Sequence, residues 1–272
     1  MRCKFCFATF QETKKTILPK GHLPKKQALQ IIQQIADFGF EKITFVGGEP
    51  TLCPWLFDLV KLAKDNGLTT MLVTNGTRLN NAFFEKYQKV LDWITLSIDS
   101  LNDKSNILSG RAIVGKKPIP KSKYFRLCHD IKRFGYRLKI NSVIHQLNYQ
   151  ENFVEFIKVV YPERWKIFQV LPIKGENDSC IKDFKIQKRQ FQIFENNHAD
   201  LKNSGIECVF EDNNDMTSTY VMIDPAGRFF DNSKGRLTYS LPILEVGIKS
   251  ALENVNTDYD KFVNRQGIYN WT

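Results

Sequence analysis

Short β-branched runs alternate with amphipathic helical stretches through the first two thirds of the chain, and no other feature restricts the fold as tightly. The pattern predicts strands over Lys42–Val46, Thr69–Thr74, Trp93–Ile98, Arg137–Ile144 and Lys166–Leu171. It predicts helices over Leu23–Phe40, Trp55–Asn66, Asn81–Val90, Tyr124–Phe134 and Phe153–Val160. In the first of these, Leu29, Ile32, Ile35, Ala36 and Phe38 have helical spacing, Pro24 suits the first turn and Gly39 is a natural stop. Regular strand–helix alternation implies a parallel sheet with right-handed crossovers. Beyond Lys174 the rhythm changes. A long helix is expected over Phe184–Ser204, a hairpin from Tyr220–Asp224 and Arg228–Phe230 around Pro225-Ala226-Gly227, and helical stretches near Leu241–Leu252 and Asp258–Asn264. Lys116–Lys121 is the expected exposed loop.

With 272 residues, 42% of them hydrophobic, the chain can bury a sizeable core, which excludes global disorder. The formal charge of +10 is compatible with nucleic acid, an anionic membrane surface or a phosphorylated small molecule, and equally with a generally basic surface. No recognisable nucleic-acid module is present, so direct nucleic-acid binding is not expected. No apolar run approaches the roughly 18 residues of a membrane span, and no apolar stretch follows Met1 as in a signal peptide. The expected compartment is the cytoplasm, where thiols stay reduced. Cys53, Cys128, Cys180 and Cys208 are scattered and read as small buried hydrophobes.

Cys3-Lys4-Phe5-Cys6 is a C-x-x-C pair. Zinc would need two more ligands at suitable spacing, and no second close pair exists; a thioredoxin-like pair would follow a strand. Gly47-Gly48-Glu49-Pro50 follows the first predicted strand, Asn75-Gly76-Thr77 the second, and Ser97-Ile98-Asp99-Ser100 ends the third. Each alone is compatible with a simple turn. Together they line successive strand ends, where ligands gather in parallel α/β folds.

Lys139 and Asn141 lie two apart on one strand, Arg164 and Lys166 two apart at the start of another, and Lys42 opens a third. Residues two apart share a strand face. Cations on a strand inside a helix-wrapped sheet are costly unless paired or solvated. With no matching run of acids in view, they imply either strand ends that reach solvent or a missing polyanion such as a triphosphate.

These residues resemble those of the viperin family of radical S-adenosylmethionine (SAM) enzymes, and the likeness runs over essentially the whole chain. Met1–Phe7 is similar to the back end of the C-x-x-x-C-x-x-C signature, and Lys139–Ile144, Arg164–Gln169 and Asn264–Trp271 are similar to viperin's nucleotide-binding segments. The resemblance implies a partial (β/α)6 barrel over residues 1–174 and a C-terminal extension over 175–272 that closes the nucleotide site. It implies a [4Fe-4S] cluster on Cys3 and Cys6, and SAM on Gly47, Gly48, Glu49, Asn75, Ser97 and Arg111. A nucleoside triphosphate would lie on Lys42, Lys139, Asn141, Arg164, Lys166 and Arg265, with Tyr220 near the ribose as a hydrogen or proton relay. The implied reaction begins with a 5′-deoxyadenosyl radical taking the C4′ hydrogen. It continues with loss of the 3′-hydroxyl as water, and yields the 3′-deoxy-3′,4′-didehydro nucleotide, an antiviral chain terminator, from CTP by preference. A flavodoxin or ferredoxin is the implied electron donor, and the implied state is a monomer. The signature's first cysteine falls two residues before Met1, so the expectation is a coding start upstream, with the first strand and first cluster cysteine missing from this chain. Two rivals remain: a radical SAM enzyme acting on another substrate, which predicts further paired cysteines, and a cluster-free, inactive nucleotide-binding protein.

Overall fold

Six parallel strands lie side by side in the order in which they occur in the chain: β1 (Lys42–Phe45), β2 (Thr69–Thr74), β3 (Trp93–Ser97), β4 (Arg137–Ile144), β5 (Arg164–Gln169) and β6 (Glu207–Glu211). The computed structural model describes residues 1–18 and 21–271. Every neighbouring pair is parallel, so each crossover carries the chain forward by one place. The result is consistent with the expected partial (β/α)6 barrel, whose inner face collects side chains from all six strands. The expected boundary at residue 174 is corrected: the sixth strand, β6, comes from within 175–272, the stretch expected to form only the extension.

The helices form where the apolar spacing predicts. Lys25–Asp37 starts behind Pro24, whose φ of −56° is pre-set for a helix entry, and buries Ile31, Ile32 and Ile35. Leu56–Asp65, Asn81–Tyr87, Lys121–Arg133 and Val154–Val160 follow β1, β2, β3 and β4. The main core lies between the sheet and these helices and includes fully buried Trp165 and Phe153. Each such aromatic contributes about 2–3 kcal/mol through burial. The Trp165 indole N–H donates to Ser142 Oγ at 3.0 Å, so its polar edge is satisfied.

Residues after 174 depart from expectation in three places. The helix expected over Phe184–Ser204 is broken: Lys188–Asn197 is α-helical, and Ala199–Ser204 is a separate 3₁₀ segment. The break is at His198, which is fully buried, accepts the Phe153 N–H at Nε2 (2.8 Å) and lies 2.7 Å from the Phe194 carbonyl through Nδ1. The expected hairpin forms from Met222–Ile223 and Arg228–Asp231, and Thr238–Pro242 adds an unexpected third antiparallel strand. This small sheet packs with Lys25–Asp37 and the helix Ile243–Leu252 in a second core around Ile31, Phe229 and Ile248. The third departure is β6 itself, for which the sequence pattern gave no sign. The predicted loop at Lys116–Lys121 is exposed at Lys116 and Lys117, but Ile119 is buried and Lys117–Pro118 pairs with Ala112–Ile113. Among the described residues, no helix is long and apolar enough to cross a membrane.

Candidate active site

The carboxyl ends of the strands form one rim of the barrel. After β1 the chain turns at Gly47 with φ of +140°, and a Cβ added at Gly47 or Gly48 would meet nothing within 4 Å. This open backbone ledge lets a ligand approach closely. Beside it, Glu49 is held in place: its Oε1 accepts from Thr51 Oγ1 at 2.6 Å and Thr74 Oγ1 at 2.7 Å, and its Oε2 from the Asn75 N–H at 2.9 Å. A fixed carboxylate beside bare backbone suits a ligand ammonium group. Asn75 caps its own turn, its Oδ1 accepting from the Thr77 N–H at 2.9 Å. Ser97 ends β3, and Asp99, just beyond, is ion-paired with buried Arg111.

Cys3 and Cys6 reach this rim on a loop clamped from two sides. The Arg2 and Lys4 N–H groups donate to the carbonyls of Gly110 (3.2 Å) and Ser109 (3.0 Å). From the other side, Asn177 Nδ2 donates to the Phe5 carbonyl at 3.2 Å, and Glu176 Oε2 accepts the N–H groups of Thr9 (2.5 Å) and Phe10 (2.9 Å). Burial pushes both thiols up from their ordinary value, and the positive Arg111 partly offsets this. Two soft sulfur donors fit two ligand positions of an iron–sulfur cluster. Among the described residues no group of three or more His, Cys, Asp or Glu comes together to hold a metal, so this pair falls short of a three-thiolate set.

Deeper in the lumen the cations gather. Lys139 and Arg164 are register partners, as are Asn141 and Lys166, and all four project on one sheet face. Lys42 joins them from β1 and Arg265 from the segment after the helix Tyr259–Asn264. Lys139, Arg164, Lys166 and Arg265 are each less than 9% exposed. Burial, followed by repulsion from Lys166, Arg164 and Arg265, pulls Lys42 down to about 7. Lys139 is driven well below its ordinary value by burial and then by Lys166 and Lys42. Lys166 falls only to about 8, because Glu211 opposes the effect of burial. Asn141 Oδ1 and the Nε atoms of Arg164 and Arg265 are buried without a hydrogen-bond partner. Such groups carry a desolvation cost that a polar ligand would relieve.

Sequence reasoning missed the acids that accompany these cations. Glu207, at the start of β6, pairs with Arg164, and fully buried Glu211, at its end, pairs with Lys166 at 2.6 Å and Arg265 at 2.7 Å. Tyr220 joins this group: it accepts from Lys166 Nζ at 2.8 Å and donates to Glu211. The expectation of cations without matching acids is therefore corrected: five cations face two carboxylates, and an excess of positive charge remains. Tyr269 was also missed. It lies among Lys42, Lys139 and Arg164, with its ring 4.1 Å from the Arg164 guanidinium. Every predicted site residue thus lies either on the rim or in the lumen.

Residues 1–160 match the radical SAM superfamily. An S-adenosylmethionine-dependent nucleotide dehydratase of Flammeovirga pacifica is 52% identical over 271 residues, spanning 100% of this chain and 92% of its own length. The chain belongs to the radical SAM nucleotide dehydratase family. A second member of this family, from Lacinutrix mariniflava, is 53% identical over 271 residues; this chain spans 56% of that protein's length. These identities bear out the resemblance read from the sequence. The radical SAM core also has a counterpart in the solved structure of native anSMEcpe with bound AdoMet, with a TM-score of 0.71 at 15% identity over 93% of this chain and 76% of that one. At that identity the likeness is one of fold.

Proposed function

We propose that this chain dehydrates a ribonucleoside triphosphate, CTP by preference, to its 3′-deoxy-3′,4′-didehydro analogue. What carries the reading is the convergence of half-buried Lys42 and buried Lys139, Arg164, Lys166 and Arg265 against two carboxylates among the described residues, in the lumen beneath a rim that presents Glu49 and the two thiols. The names of the relatives supply the reaction class.

In this reading Glu49 receives the ammonium of SAM beside the Gly47–Gly48 ledge, with Asn75, Ser97 and Arg111 around the rest of the molecule. Cys3 and Cys6 would be two of the thiolates that hold the cluster. When bound, the cluster and SAM supply a carbon-centred radical at the rim. The protein's own contribution is position and charge. Lys42, Lys139, Arg164, Lys166 and Arg265 hold the phosphates, and Asn141 offers its unpaired Oδ1 to the nucleotide. That anchoring presents the ribose to the rim. Tyr220 passes a proton in this reading, which is supported by its two contacts: Lys166 Nζ donates to its oxygen, and its hydroxyl donates to Glu211. Burial and then the neighbouring Glu211 raise Tyr220 well above its ordinary value, which keeps it a neutral phenol until it is used. The chain beyond β6 acts as an extension that closes the lumen, the protein works as a cytoplasmic monomer, and a flavodoxin or ferredoxin supplies the electron.

The test is anaerobic reconstitution with iron and sulfide, followed by incubation with reductant, SAM and CTP, UTP or GTP in turn. The expected product by mass spectrometry is a nucleotide lighter by one water. Absence of both this product and any nucleoside triphosphate binding would overturn the reading.

A further inference from the structure

We infer that Tyr269 gauges the length of the phosphate chain, its ring closing the lumen where the last phosphate of the bound nucleotide stops. This rests on the reading of the lumen as a triphosphate site and adds a specificity-determining residue to it.

The position of the ring is fixed from several directions. Lys42, Trp93 and Arg164 are the first residues of β1, β3 and β5, so they mark the lumen end opposite the Glu49 rim. Tyr269 fills that end. Its hydroxyl oxygen accepts from Lys42 Nζ at 2.5 Å, its ring lies 4.1 Å from the Arg164 guanidinium and 5.7 Å from Lys139 Nζ, and it meets Trp93 edge-on at 6.0 Å. The Trp93 indole N–H also donates to the Trp271 carbonyl at 2.9 Å, tying down the chain beyond the ring.

The approach of the tail is equally constrained. Gly267 N–H donates to the Phe262 carbonyl at 2.8 Å, and a Cβ at Gly267 would stand 2.3 Å from the Phe262 ring and 2.5 Å from that carbonyl. Only glycine permits so tight a turn; beyond it Ile268 stays exposed while Tyr269 and Trp271 lie against the barrel end. One residue earlier, Arg164 Nη2 donates to the Gln266 carbonyl.

A ring in this place does two things that the cations do not. It blocks further travel, because it is backed by Trp93 and the anchored Trp271. It also holds Lys42 through a neutral phenol oxygen, a weaker acceptor than a charged phosphate oxygen. An incoming terminal phosphate can therefore take over the Lys42 ammonium while the ring stays as the end wall.

Isothermal titration of inorganic pyrophosphate, tripolyphosphate and tetrapolyphosphate at fixed ionic strength reads the gauge directly. The native chain is expected to prefer tripolyphosphate over tetrapolyphosphate by about tenfold or more. Tyr269→Phe keeps the wall and should keep the preference. Tyr269→Ala should abolish it, with tetrapolyphosphate binding at least as tightly as tripolyphosphate. Equal affinity of the native chain for both overturns the gauge whatever the variants do. A preference that survives Tyr269→Ala overturns it too, as does an equal gain for all three ligands, which would make the ring a plug. Failure of the native chain to bind any polyphosphate would remove the triphosphate reading as well.

Discussion

Lys166 and Arg265 converge on the same oxygen, Glu211 Oε1, at 2.6 and 2.7 Å. The two cations come from a barrel strand and from the C-terminal segment, so one buried carboxylate joins the barrel to that segment. Removing that charge leaves two buried cations facing each other. Glu211→Gln is expected to cost about 3–5 kcal/mol of stability. Because a polyanion can replace the lost charge, tripolyphosphate should raise the melting temperature more in Glu211→Gln than in the native chain. Equal ligand-induced shifts would show that Glu211 and the ligand do not share these cations.

Lys42 makes the site sensitive to pH. Its value of about 7 in the folded chain lies below the ordinary 10.5. Between those two pH values the unfolded chain holds more protons at this residue, so its contribution to stability improves as pH rises from about 7 towards 10. Below that window the penalty is present in full. A bound polyphosphate favours the charged lysine and reverses the shift, so binding near pH 8 should draw protons from solution. Titrations in buffers of different ionisation enthalpy should then give different apparent heats, and Lys42→Met should shrink the difference. Identical heats in all buffers would contradict this.

The clamp on the cysteine loop is testable without a cluster. Gly110 has φ of +80°, and a Cβ there would stand 2.2 Å from the Arg2 carbonyl oxygen. Gly110→Ala is expected to cost about 1–3 kcal/mol through local strain and to push the loop off its seat. Since burial is what raises the Cys3 and Cys6 thiols, both should become more reactive. Alkylation rates followed by mass spectrometry should rise for these two cysteines and stay unchanged for Cys128, which is buried elsewhere.

Glu49 separates the two halves of the proposed site. Glu49→Gln keeps the shape of the side chain and removes the charge offered to an ammonium group. SAM binding should weaken by on the order of tenfold, the value of a charge-assisted hydrogen bond. Tripolyphosphate binding should be unchanged. Loss of both together would mean that the variant has disturbed the barrel as a whole.

The barrel was legible because most of its strands carry β-branched runs whose inward and outward faces are both covered. β6 was not, and the reason is physical. Its lumen face carries Glu207 and Glu211, so Glu-Cys-Val-Phe-Glu reads as a polar connection unless the cations opposite are already in view. The basic residues could be grouped because the two-residue period of a strand is local information. Their partners could not, because Glu211 and Arg265 are 54 residues apart and Lys42 and Tyr269 are 227 apart. The break at His198 was hidden for a similar reason, since the amide that its ring receives belongs to Phe153, 45 residues earlier.

Those separations bear on how the protein matures. Chains fold broadly from the N-terminus as they leave the ribosome, and β1 to β6 can assemble before residues 265–271 have been synthesised. For that interval Lys42, Lys139 and Arg164 lack the tyrosine that packs against them. A nascent barrel would then be a strongly electropositive cup, open to polyanions of any length, and synthesis of residues 265–271 would narrow it to those that fit beside Tyr269.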